Sequence, residues 1–279
     1  MEYAIDIAPL GELSDATAIV RLARTAEEAG WDGLSIWDST GVSMGTSSAD
    51  PFVSLAGVAA ATERLRLILS VVALPRRRPQ LVVQAAATLD RLSGGRLVIG
   101  CGAGGDPGDF AAFGEPADAA SRMPRFDEAI DLVDALLRGE TVGHDGPGFV
   151  VRDVAVGPRP VQQPRPPIWL GGMRPGALRR AARWDGWIAI AVADDGSGIS
   201  LSPEAFGEKV ERVRAERAAL GRDAEPFDVA VFAFSDPYGP ELAQTYAAAG
   251  ATWWLESLSP MRGSLDDLLR IVAAGPPRP

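Results

Sequence analysis

Apolar and helical stretches alternate along this chain from one end to the other, and that alternation limits the fold more than any motif does. YAIDIA (Tyr3–Ala8) reads as a short strand. In ATAIVRLARTAEEAG, which follows, Ile19, Leu22, Ala23 and Ala26 recur at helical spacing. Ser14 and Asp15 offer N-caps, and Gly30 stands where a helix C-terminus favours glycine. The pattern then repeats: GLSIW and PFVSLAGVAAAT, RLILSVVAL and PQLVVQAAATLDRL, RLVIGC and SRMPRFDEAIDLVDALLRG. It closes with PIWLG and PGALRRAARW, GWIAIAV and SPEAFGEKVERVRAERAALG, FDVAVFAF and YGPELAQTYAAAG, TWWLE and SLDDLLRIVAAG. Strand–helix alternation implies a parallel sheet. Eight units within 279 residues predict one closed (β/α)8 barrel over residues 1–279, rather than an open doubly wound sheet. Strands such as RLILSVVAL are apolar on both faces, as strands covered by helices must be.

One region breaks the rhythm. Residues 140–166 (ETVGHDGPGFVVRDVAVGPRPVQQPRP) have no helical period and much Gly and Pro. They predict an insertion between the fourth helix and the fifth strand, with FVVRDVAV as a short hairpin strand or an extended excursion. Its expected place is the catalytic face, where the loops after Asp38 and after Gly105 would join it around a substrate pocket.

The stretch GRLVIGCGAGGDPGDFAAFG poses a second question, because Gly100, Gly102 and Gly105 spell G-x-G-x-x-G. A dinucleotide fingerprint needs a helix opening at its third glycine. Here Asp106, Pro107, Gly108 and Asp109 follow, a turn sequence, and the next clear helix begins near Ser121. The fingerprint also lies a hundred residues into the chain, behind three complete units. A Rossmann fold is excluded, leaving a glycine-rich loop at the carboxyl end of the fourth strand. It is either a plain turn or a place where backbone approaches a flat ring or a phosphate.

Composition narrows the partners. A formal charge of −10 disfavours nucleic acid. No apolar run approaches a membrane span, and MEYAIDIAPLGEL has no basic region leading into a long apolar one, so a cytoplasmic protein is expected. The single cysteine, Cys101, allows no intrachain disulfide, and the single histidine, His144, allows no His-based metal pair or Ser-His-Asp set. No metal is expected. His144, in GHDG, reads as a solvated turn residue, and Cys101 as a small buried one.

In their order, AEEAGWDGLSIWD, DPFVSLAGVAAATERLRLILSVVALPRRRP, ATLDRLSGGRLVIGCGAGG, FDEAIDLVDALLRGE and PRPVQQPRPPIWLGG with AARWDGW resemble the luciferase-like monooxygenase superfamily. The LDRLSGGRLVIGCGAG block is the most specific of them. The resemblance implies a flavin- or deazaflavin-dependent oxidoreductase acting on a small organic molecule. Its cofactor would be reduced FMN or coenzyme F420, and it would be a homodimer. In such families the third strand ends in a bulge, often with a non-prolyl cis peptide, that supports the ring; here that is Ser70–Val71. Gly102, Ala103, Gly104 and Gly105 would border the ring. The phosphate would sit at Gly171, Gly172, Met173 and Arg174, a placement that glycine N–H groups, a helix start and a guanidinium favour in their own right.

The match breaks at Trp37, Asp38, Ser39 and Thr40. Many relatives carry Asp-His at the end of the second strand, and this chain has Asp-Ser. Catalysis must then proceed without histidine. Trp37, Asp38 and Ser39 are the catalytic candidates, with Asp38 as a base if burial raises its pKa, or else a structural acid bonded to the next loop. Trp37 and Trp187 are expected to line an apolar pocket. Arg76, Arg77 and Arg78 read as a solvated turn or as an anion clamp, which would favour the acidic tail of F420. Two alternatives stay open: a barrel of the same family that binds cofactor or ligand without turnover, and a hydrolase using Asp38, Asp106 and Asp109.

Overall fold

The helices begin where short polar side chains can satisfy their first N–H groups. Asp15, Asp50, Asp118, Ser202 and Ser264 each accept from a first-turn amide, Ser264 within a capping box. The computed structural model describes residues 1–193, 198–235 and 239–278. Its first units are β1 (Glu2–Ile7), α1 (Ala16–Glu28), β2 (Gly33–Ile36), α2 (Pro51–Ala61), β3 (Arg66–Ala73), α3 (Pro79–Leu92) and β4 (Leu97–Gly102). A single-turn helix, α4 (Gly108–Ala111), precedes α5 (Ala119–Leu137), so part of the expected turn after Gly105 is helical. Next come β5 (Val142–Asp145), β6 (Val150–Val154), β7 (Ile168–Gly171), α6 (Pro175–Ala181), β8 (Gly186–Ile190) and α7 (Pro203–Ala219). The chain ends with β9 (Asp228–Ala233), α8 (Glu241–Ala248), β10 (Trp253–Leu258) and α9 (Leu265–Ala273). The expected helix YGPELAQTYAAAG starts at Glu241, and its Tyr238 lies outside the described residues.

The strands close in the order β1-β10-β9-β8-β7-β4-β3-β2, all parallel, as a (β/α)8 barrel requires. Alternation along each strand builds two cores. Ala4, Ile68, Val98, Trp169, Ile188 and Leu255 fill the barrel interior. The other set, Ile5, Leu34, Leu67 and Ile99 among them, packs outward against helix faces such as Ile19, Leu22, Ala23 and Ala26 of α1.

The insertion is an antiparallel β5–β6 hairpin whose two ends are rooted away from the catalytic face. The chain leaves α5 at the end opposite the strands' carboxyl termini, and returns there: Arg159 donates to the Gly139 carbonyl, and Gln162 to Asp90 and to the Leu97 carbonyl at the start of β4. The hairpin runs along the outside of α5, where Glu128 accepts from His144, Gly148 and Phe149. His144 is thus a hairpin residue tied to Glu128, and the hairpin's tip reaches the turn after β3, where Arg125 donates to the carbonyls of both Gly148 and Pro75.

Candidate functional site

Trp37, Asp38, Ser39, Ser70, Val71, the Gly102–Gly105 loop and the Gly171–Arg174 turn all reach the carboxyl end of the barrel. The ladder between β3 and β4 pairs Leu69 with Ile99 and resumes at Val72 with Cys101, leaving Ser70 and Val71 in a bulge. The Ser70–Val71 peptide is cis, as expected. Glycines surround the bulge. A Cβ on Gly100 would lie 1.9 Å from the Leu69 carbonyl oxygen, one on Gly102 2.5 Å from Val71 Cγ2, and one on Gly171 3.0 Å from Val71 Cγ1. At Gly105 an added Cβ would meet nothing within 4 Å. The first two glycines of G-x-G-x-x-G therefore serve close packing around a bulge, and the third opens onto free space.

The loop past Gly102 is pinned from α5. Arg122 is buried, stacks 4.0 Å over Phe110, and donates to the carbonyls of Ala103 and Gly104, each at 3.0 Å. Gly104 lies against the same ring with φ +84°, and a Cβ there would come within 2.5 Å of it. Sequence reasoning missed Arg122, because spacing within one helix does not say which side chain faces a loop.

Below the bulge lies a polar cluster on an apolar floor. Asp6, fully buried on β1, accepts from Ser70 Oγ at 2.7 Å and from Trp37 Nε1 at 2.5 Å. Ser35 Oγ donates to Ser70 Oγ. Trp37 stands edge-on to Phe232 with centroids 5.4 Å apart, beside Val71 and Val192. Burial raises the Asp6 carboxyl to about 6 in spite of these donors. Asp6 was also missed. Its signal was present: one acid inside the apolar run YAIDIA, at the register that faces inward.

Asp38 does not gain the raised pKa that a base requires. Burial pushes its carboxyl up, but hydrogen bonds and charge from Arg77, with Arg76 beside it, outweigh burial and hold it below the usual range. Arg76 Nη2 and Arg77 Nη2 reach Asp38 Oδ1 at 2.9 and 2.7 Å, and the Ala73 amide donates to Oδ2. In this arrangement Asp38 bonds the backbone and the arginines of the turn after β3, the bonding expected of a structural acid. Arg76 also binds Asp109 at 2.8 Å, which accepts from Thr40 and from Ser39 Oγ. Asp38, Ser39, Thr40, Asp50, Arg76 and Arg77 line a polar cleft of about 320 Å³. Two of the three arginines expected as an anion clamp are thus engaged internally, and Arg78 alone is exposed.

At the end of β7 the chain turns through Gly171, Gly172, Met173 and Arg174 into α6. Gly172 has φ +131°, and its carbonyl accepts from Trp187 Nε1 at 2.8 Å. Among the described residues, the N–H groups of Met173 and Arg174 meet no acceptor, and the Arg174 side chain is exposed. Trp187 corrects its expectation: it is wholly buried, stacked on Phe206 behind the barrel wall, and lines no pocket. Its strand position faces the helices. Cys101 is likewise buried, which pushes its thiol up to about 12.

A closed parallel barrel with a glycine-packed bulge and a glycine turn at its carboxyl end defines the class: a (β/α)8 barrel. The chain belongs to the luciferase-like monooxygenase family, whose model matches residues 5–251. Uncharacterised proteins of Mycobacterium bovis and Mycobacterium tuberculosis are 32% identical over 237 residues, 78% of this chain and 77% of theirs. Among solved structures, the coenzyme F420-dependent tetrahydromethanopterin reductase of Methanopyrus kandleri superposes with a TM-score of 0.76 at 17% identity, covering 98% of both chains. An F420-dependent secondary alcohol dehydrogenase gives 0.81 at 14% identity, over 98% of this chain and 97% of that one. The oxygenating constituent of 3,6-diketocamphane monooxygenase of Pseudomonas putida, in complex with FMN, gives 0.67 at 15% identity, over 97% of this chain and 83% of that one. No described helix is long and apolar enough to cross a membrane.

Proposed function

We propose that this protein is an oxidoreductase that works with a flavin-type cofactor, reduced FMN or F420, on a small and fairly apolar organic substrate. The observation that carries the reading is the shelf at the barrel mouth. Gly102 and Gly171 let the β3 bulge and Val71 lie flush with the ends of β4 and β7, and Gly105 opens onto free space beside them. The residues fit the group. Ser70, Val71 and the pinned Gly102–Gly105 loop would border the ring, and Gly171–Arg174, with two amides unpaired among the described residues and an exposed guanidinium, would hold the phosphate. When bound, F420 supplies hydride transfer, and reduced FMN supplies oxygen insertion from dioxygen.

The chain's own residues bind and shape. Trp37 and Phe232 form an apolar wall, and Arg122 keeps the glycine loop closed over the site. Internal pairing of Arg76 and Arg77 withdraws most of the argument for the F420 tail, so FMN and F420 stand level. Two of the three acids named for a carboxylate hydrolase, Asp38 and Asp109, are held below the usual range by their arginine and threonine partners, which weighs against either as the general acid. The second reading, a barrel that binds without turnover, draws on the missing histidine and the neutralised Asp38. The homodimer belongs to the same proposal and is read by light scattering.

Fluorescence titration of the purified protein with FMN and with F420 tests the proposal. Saturable micromolar binding of one names the cofactor, and consumption of a reduced cofactor separates enzyme from binding barrel. Binding of neither overturns the proposal.

A further inference from the structure

At the mouth of the barrel Asp6 is a fully buried carboxyl that the family-like motifs do not include. Both groups that Asp6 accepts from belong to the site: Ser70 opens the bulge, and Trp37 forms the wall against Phe232. Each is only half-buried, so packing alone leaves its orientation open, and a charge-assisted hydrogen bond settles it. Ser35 completes the chain by donating to Ser70.

We infer that Asp6 is the positioning carboxylate of this site: as the anion it fixes the Trp37 indole and the Ser70 hydroxyl, and the wall they form loosens when it takes a proton from solvent. The inference rests on the proposed reading of the mouth as the cofactor and substrate site. From β2 the groups facing Asp6 are Ser35 and Trp37, and from β3 Ser70. β10 brings Ser257 level with Asp6 in the ladder, while Glu256, one position back, is engaged by Trp254 and Arg262. In the loop after β2, Asp38 is neutralised by Arg76 and Arg77. Among the described residues no charged side chain shifts Asp6: burial raises it, and Ser35, Ser70 and Trp37 lower it.

The experiment is a pH titration of the indole N–H signals of the full chain, free of cofactor, by 15N–1H NMR. The Trp37 signal is the one absent from Trp37→Phe. It should titrate with a midpoint near 6, and Asp6→Asn should abolish the titration. A Trp37 signal that does not move, or that moves only in the ordinary carboxylate range near pH 4, overturns the inference. Should Asp6→Asn not fold, Ser70→Ala retains both partners and removes one donor to the anion. Its midpoint must then rise, by about one pH unit, and an unchanged midpoint overturns the inference. In parallel, FMN or F420 affinity should weaken more steeply from pH 8 to pH 5 in the wild type than in Asp6→Asn, where the cofactor's own ionisation is all that remains; equal slopes count against the linkage. If the indole titrates and neither cofactor binds, the proposed function falls and the Asp6 linkage stands.

Discussion

Replacing Gly100 with alanine tests why the fingerprint glycines are there. The added Cβ would start 1.9 Å from the Leu69 carbonyl oxygen, and real Cβ contacts are essentially never under 3.0 Å, so β3 and β4 must part by more than 1 Å. The obstacle is backbone, at the last paired position before the bulge, and no rotamer relieves it. Overpacking of this kind costs about 3 kcal/mol, more than the roughly 0.4–1 kcal/mol that Gly→Ala gains from the unfolded chain. For a chain of 279 residues, 3 kcal/mol lowers Tm by about 5 °C. Gly105→Ala is the internal control. Its Cβ meets nothing within 4 Å and its φ is not positive, so its Tm should stay level or rise slightly. Both are read by scanning calorimetry or by circular dichroism with temperature. If Gly100→Ala is as stable as the wild type, close strand packing is not what holds glycine there, and the assignment of the motif to packing fails.

The remaining predictions concern the charges and walls of the site. Arg76→Ala leaves Asp109 and part of Asp38 buried without a cation, and should cost about 2–3 kcal/mol in urea unfolding at neutral pH. Asp6 binds its proton more tightly folded than unfolded, so its contribution to stability is full below about pH 4 and is lost as pH rises through about 6. Stability curves of wild type and Asp6→Asn should therefore diverge across that window, and parallel curves would refute the assignment. Cys101 should stay unlabelled by a thiol reagent at pH 8 until denaturant is added, since its thiol is buried and pushed up to about 12. Trp187→Phe loses the bond to the Gly172 carbonyl and leaves a cavity beside Phe206, so it should lower Tm by a few degrees and weaken cofactor binding several-fold in the fluorescence titration.

The eight strand–helix units, the barrel and the Asp15 cap of α1 follow from the sequence alone. Periodicity and capping are local, and each segment carries its own record of which face it buries. The bulge at Ser70–Val71 and the glycine turn after β7 were legible through the family-like blocks, which are local as well. What the tertiary structure decided is which side chains meet across segments. Asp6 and Arg122 lie far in sequence from the groups they hold, and only closure of the barrel brings β1 beside β2 and β3, and α5 over the glycine loop. The fate of Asp38 turned on the same point: a lone buried acid would rise in pKa, and two arginines from the turn after β3 reverse the sign. The path of the insertion was not legible because residues 140–166 carry no period, and its course depends on which end of α5 the chain leaves and on what the hairpin meets along that helix. Charge balance and facing direction are properties of the closed barrel, since burial and Coulomb attraction act through space and not along the chain.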